Sequence, residues 1–182
     1  MSESSTVDRL VAELHTGAPE EPGTFSVDAA SADRKLRALR LDNPLHWVLV
    51  GLRGAVRAGA SNIEAFEEGG DLILQWPEPT ELPTGDLLPT AALGSTGDRV
   101  GIREVLLAAF IGINHGLREV SIASGARMLI VEPGSVRERE IRPQPGTRLV
   151  ARGQLVAPLD GQRAELWALR KRGRYLEGSL EV

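Results

Sequence analysis

The sequence predicts an α+β sandwich, in which a largely antiparallel mixed sheet carries helices on one face. Three observations predict it. Apolar residues recur with helical period before residue 60, a glycine-turned pair of strand-like segments follows, and a long apolar helix then precedes a run of β-rich segments. Helices and strands grouped in this way, rather than alternating, point to helices stacked on an antiparallel sheet.

The bulk properties agree with one such domain. A chain of 182 residues can bury a sizeable core. Its 42% hydrophobic and 25% charged content is that of an ordinary soluble protein. The net charge of −4 gives no bulk attraction to nucleic acid or to a membrane surface. There is no cysteine, which removes disulfides, thiol catalysis and cysteine-ligated metals. The start, MSESSTVDRLVAELHTG, lacks the basic-then-apolar order of a secretory signal. No run of about 18 apolar residues is present, so the expected location is the cytoplasm. Aromatic residues make up only 4%, so the core must rest on Leu, Val, Ile and Ala.

Residues 1–24 read as a flexible N-terminal segment, polar and broken by Pro19 and Pro22, with a short helix around Val7 to Leu14. Order is expected from Phe25. Asp28 or Ser31 can cap a helix carrying Leu36 and Leu39. Asn43 and Pro44 suit the cap and first position of a second helix, from Pro44 to Ala58. Its apolar stripe is Leu45, Val48, Leu49, Leu52 and Val56, and Gly59 is placed to end it in a left-handed conformation. NIEAFEE and DLILQW alternate as strands and are joined by Gly69-Gly70, a hairpin signal. PEPTELPTGDLLP cannot continue a central strand, because proline lacks the ladder donor. LGSTGDRVG reads as a glycine-rich loop, and IREVLLAAFIGINHG as a helix buried on most sides. REVSIASGA, RMLIVEPG, VREREIRP and TRLVARGQL read as four strands. A basic helix from about Gln162 to Tyr175 and a last strand in YLEGSLEV complete the chain.

Few side chains advertise chemistry. His15, His46 and His115 have no metal-ligand spacing and read as surface or capping residues. Neither a Gly-x-Ser-x-Gly elbow nor a Gly-Lys-Ser/Thr loop occurs. Glu64, Glu67 and Glu68 read as a solvated hairpin face. Arg170, Lys171, Arg172 and Arg174 read as a solvated helix face, with only Trp167 and Tyr175 near enough to stack on a base. Arg53 and Arg57 could bind an anion or pair with Glu64 or Glu104, and pairing is favoured.

Three strings carry a resemblance: AGASNIEAFEEGGDLILQW, GINHGLREVSIASG and PGTRLVARG. In content and order they resemble the GHKL ATP-binding (Bergerat-type) fold of gyrase B, HtpG-type chaperones, sensor histidine kinases and MutL proteins, over roughly Phe25 to Gly153. The resemblance implies an ATPase-type domain at residues 25–157. It also implies that the helix and strand at 158–182 lead towards a further domain in a chaperone-like protein.

The same resemblance implies a site without its chemistry. In the family the first pocket helix carries a glutamate that activates water, an asparagine that holds Mg²⁺, and an aspartate, on one helical face. Aligning Ala58-Gly59-Ala60 with the family's Ala-Gly-Ala places Val50, Gly54 and Arg57 at those positions. Valine takes no proton, glycine offers no ligand, and arginine reverses the charge. The family's Asp-x-Gly-x-Gly falls where this chain reads QWPEPTE. Either Glu78 stands in for the aspartate, with a one-residue slip, or Trp76 plugs the base site. Gly94, Gly97 and Gly101 fall in the lid that precedes a phosphate-binding helix N-terminus. Thr147 matches the threonine that faces the base, although a threonine in a strand is also ordinary.

The cofactor-binding positions thus implied are Gly54, Arg57, Glu78, Gly97, Gly101 and Thr147, with no catalytic base and no metal expected. Two functions follow as expectations. One is a pseudo-ATPase that acts as a binding or scaffold module, with a protein partner or a second copy and without nucleic acid or membrane. The other is a nucleotide-binding protein or slow ATPase with weak ATP or ADP binding in a rearranged site.

Overall fold

The computed structural model describes residues 29–39, 41–83, 100–157, 162–172 and 179–182. The readings of Val7 to Leu14, His15, Asp28, Gly94, Gly97, Arg174 and Tyr175 lie outside them. The chain is α+β, and its elements run α1 (Ala29–Ala38), α2 (His46–Arg57), β1 (Asn62–Glu68), β2 (Asp71–Trp76), α3 (Val100–His115), β3 (Glu119–Glu132), β4 (Ser135–Arg152), α4 (Ala164–Arg172) and β5 (Ser179–Glu181).

The five strands form one sheet in the order β3-β4-β2-β1-β5. Every pairing is antiparallel except that of β1 with β5. Direct cross-strand partners share a face. Ala65 pairs with Leu74, Leu74 with Leu149, and Leu149 with Ile122, so one face presents a continuous apolar layer. That layer joins Leu36 of α1, Trp47 and Leu52 of α2, Leu106 of α3 and Leu169 of α4 in a single buried cluster. The helices therefore cover one face, as the grouping of elements predicts. Helix α4 and strand β5 complete this same sheet and core.

Local chemistry explains the boundaries. Glu68 opposes Asp71 across Gly69 and Gly70, whose φ values of +61° and +86° make the turn that two glycines favour. Gly59 takes φ +93° at the end of α2. The start of α2 differs from expectation. The helix begins at His46, not Pro44, and has no side-chain cap. Asn43 instead closes the preceding turn, where its Oδ1 accepts from the Leu45 amide at 2.9 Å and its carbonyl from His46 at 3.0 Å. Ser31 is likewise not a cap but lies inside α1.

The four expected strands after α3 are two long ones. Gly125 does not end a strand: the β3–β4 register shifts between Ser124 and Arg127, a bulge that absorbs the interruption. Pro143 and Pro145 likewise lie within β4, beyond the stretch of β4 that pairs with β2.

The buried face of α2 is also rotated from the expected stripe. Val48 and Leu52 are buried, but so are Trp47, Gly51, Gly54 and Ala55, whereas Leu45, Leu49 and Val56 are half-buried. The reason is contact with α3: small residues let the two helix backbones approach. A Cβ on Gly51 would lie 3.4 Å from the Ala108 Cβ.

One ion pair is wholly buried. Arg163 and Glu165 have no exposed side-chain surface. A guanidinium has five N–H donors, and here five bonds engage it. Two go to Glu165 at 3.3 and 2.9 Å, and the others to the carbonyls of Gly70 (2.8 Å), Ala151 (3.3 Å) and Gly153 (2.7 Å). This side chain ties the start of α4 to the β1–β2 turn and to the end of β4.

Candidate functional site

The positions that the GHKL resemblance singles out converge on the α2–α3 crossing and on the segment after β2. Gly54 faces α3, where a Cβ would sit 2.6 Å from the Val105 amide nitrogen and 2.9 Å from the Gly101 carbonyl oxygen. Gly101 reciprocates, since a Cβ there would overlap the Ala58 amide nitrogen. Gly101 is thus part of α3 rather than of a lid loop, and its smallness serves the helix crossing. Val50 is half-buried and packs against the core. At the outer edge of the crossing, Glu104 accepts from Arg53 Nε at 3.0 Å and also pairs with Arg57. The Glu104 side chain is 9% exposed and the two arginines about half exposed, so α3 supplies one nearly buried acid to two α2 cations. The sequence favours pairing with Glu64 or Glu104, and the helix crossing selects Glu104.

The second group surrounds Thr147, which is 2% exposed. Its Oγ1 donates to the Glu78 carbonyl at 2.9 Å and accepts from the Thr80 amide at 2.9 Å. The Thr80 and Ser124 hydroxyls lie 3.0 and 3.2 Å away. A hydroxyl has one proton to give, and the segment after β2 takes it. Trp76 is 3% exposed on the helix-covered face, with its indole N–H 3.3 Å from Thr80 Oγ1. Gly146, at φ +70°, passes so close to the Trp76 carbonyl that any side chain would collide with it. Arg127 holds the far end of this segment through the carbonyls of Leu82 (2.6 Å) and Pro83 (3.0 Å).

Glu78 comes to Thr147 by its backbone, not by its carboxylate. The carboxylate turns to Ser61, accepting from the hydroxyl at 2.5 Å and from the amide at 3.2 Å. The Ser61 hydroxyl, helped by that amide, holds the Glu78 carboxyl below the usual carboxylate range.

The remaining polar residues have structural roles. His115 Nε2 accepts from the Leu41 amide at 3.0 Å, which ties the end of α3 to the link between α1 and α2 rather than capping a helix. His46 Nε2 lies 2.8 Å from Arg172, and Lys171 lies over the Trp167 ring. Glu68 is exposed and pairs with Arg148 at 2.7 Å, and the half-buried Glu64 accepts from Gln75 at 2.6 Å. Among the described residues no group of His, Asp and Glu could hold a metal ion, and no helix is long and apolar enough to cross a membrane.

Sequence reasoning missed the Ser124–Thr147–Thr80 knot and the Arg163–Glu165 pair. The members of the knot are far apart in the chain, and Arg163 and Glu165, although two residues apart, carry no local sign that both are fully buried. The chain matches no family model and no curated protein.

Proposed function

We propose that this chain is a degenerate GHKL-type domain that does not hydrolyse ATP and serves as a binding or scaffold module of a chaperone-like protein, for a protein partner or a second copy of itself. The observation that carries the reading is the contact between Gly54 and α3. Where the family would place a metal-holding side chain, the Val105 amide and the Gly101 carbonyl leave no room for one. Hydrolysis needs a base and an electrostatic partner for phosphate. Val50 supplies no base, and Arg53 and Arg57 are both engaged by Glu104, which offsets one of their two charges.

The alternative, a nucleotide-binding protein or slow ATPase, needs the Thr147 hydroxyl and the Glu78 carboxylate free for a base. Both are engaged within the chain, so the scaffold reading has the better support. Calorimetric titration of the folded protein with ATP and ADP, with and without Mg²⁺, tests it. No heat at millimolar nucleotide is expected. Tight Mg²⁺-dependent binding would return the enzyme reading.

A further inference from the structure

The outer face of the sheet, opposite the helices, holds a cavity that none of these roles uses. Glu64, Gln75 and Arg148 are successive cross-strand partners and form a row across β1, β2 and β4 on that face. The row lines a cavity of about 450 Å³ together with Asn62, Trp76, Pro77, Gln144, Pro145 and Thr147.

Four buried side-chain polar atoms lack a hydrogen-bond partner among the described residues: Trp47 Nε1, Asn62 Oδ1, Gln144 Nε2 and Arg148 Nε. The last three belong to residues that line this cavity, two of them, Gln144 and Arg148, at its border with a second cavity on the same face. Native proteins rarely bury a polar atom unpaired, so three together mark a hydrogen-bonding template. Size argues against a single water as what completes it. One water needs only ~10–15 Å³ of such space, whereas pockets for small organic ligands run from about 300 to 1,000 Å³.

The pattern of donors and charges defines the ligand. Arg148 Nε and Gln144 Nε2 offer N–H donors, one of them charged, which suits a carboxylate. Asn62 Oδ1 asks for a donor, and the Glu64 carboxylate beside the row favours a cationic one. Among the described residues that line the cavity, Glu64 and Arg148 are the charged ones, so the charge of the lining sums to zero. We propose that this outer-face cavity binds a free α-amino acid, with the carboxylate on Arg148 and Gln144 and the ammonium on Asn62 and Glu64. The inference does not depend on the GHKL reading: Thr147, the one cofactor-binding position of that reading that borders the cavity, gives its hydroxyl proton to the Glu78 carbonyl, and none of the assigned contacts uses it.

The test is NMR titration of the full chain with the proteinogenic L-α-amino acids at millimolar concentration. The signals to follow are the Asn62 and Gln144 side-chain amides and the Arg148 Nε–H. At least one amino acid is expected to shift all three in a saturable way. R148M should weaken that binding about tenfold or more, close to 1.4 kcal/mol. E68Q, which removes only the ion pair of Arg148 at the rim, should leave it intact. If R148M does not fold, Q144L should show the same loss. Absence of saturable shifts with every amino acid overturns the site. Equal binding of acetate or ethylammonium alone overturns the zwitterion as its ligand, and undiminished binding in R148M or Q144L overturns the assigned contacts.

Discussion

Gly54 and Gly101 face each other where α2 crosses α3, and neither can carry a side chain in this packing. On the proposed GHKL reading the crossing occupies the place of a nucleotide site, so it would join the stability of the fold to the proposed loss of function. In a helix free of such contacts, Gly→Ala gains about 0.8–1.0 kcal/mol from backbone entropy. Here the sign reverses. Gly54→Ala is expected to lower unfolding free energy by about 1–3 kcal/mol through overpacking, and Gly54→Asn, the residue that the GHKL resemblance would place there, to cost more. Urea unfolding checks both. Stabilisation by Gly54→Ala would show that the crossing is looser than described.

Thr147 holds the segment after β2 against the sheet. Thr147→Val keeps the shape but removes the bonds to the Glu78 carbonyl and the Thr80 amide. The Thr80 amide still has Ser124 Oγ at 2.8 Å, so the chief loss is at the Glu78 carbonyl. About 1–2 kcal/mol of stability should go, and Thr147→Ser should retain most of it. A larger cost for Thr147→Ser than for Thr147→Val in denaturant titrations would mean that the methyl group, not the hydroxyl, matters.

Ser61 sets the charge behaviour of Glu78. Because the folded state holds this carboxyl below its ordinary value, the contribution to stability is present above the ordinary carboxylate range, ~4.3, and is lost as pH falls through the lowered folded value. Ser61→Ala should therefore raise the Glu78 midpoint, read by carboxyl ¹³C titration. Its stability difference from the parent chain should shrink as pH drops below that range. A midpoint unmoved by the substitution would remove Ser61 as the cause.

Glu165 neutralises a fully buried guanidinium. Removing one partner of such a pair strands the other, at a cost of about 3–5 kcal/mol. Glu165→Ala should reach that range, whereas the double variant Glu165→Ala with Arg163→Met should recover part of it, because no buried charge then remains. Thermal or denaturant unfolding of the set decides. A Glu165→Ala variant with parental stability would mean that the three carbonyls alone satisfy Arg163.

Several parts of the fold were legible because their causes are local. Gly69-Gly70 can only turn tightly between two alternating segments, Gly59 tolerates the left-handed end of α2, and the apolar run after Val100 has helical length. Pro77, Pro79 and Pro83 bar a central strand by lacking a ladder donor. Arg53 and Arg57 were legible as cations that pair with Glu64 or Glu104, and the helix crossing selects Glu104.

What only the tertiary structure decided depends on residues that are distant in the chain. The face of α2 that is buried turns on how closely α3 approaches, and that follows from Gly51, Gly54 and Gly101 acting together rather than from the leucine stripe. The bulge at Ser124–Arg127 exists because β4 supplies a continuous partner across it. Thr147 is occupied because the chain at Glu78 and Thr80 returns over β4, and Asn62, Gln144 and Arg148 meet because β1 and β4 flank β2. Periodicity and turn chemistry act over a few residues, so the sequence alone determined the elements and their kinds. Close approach of backbones and the filling of hydrogen bonds act through space, so they decided which residues face one another.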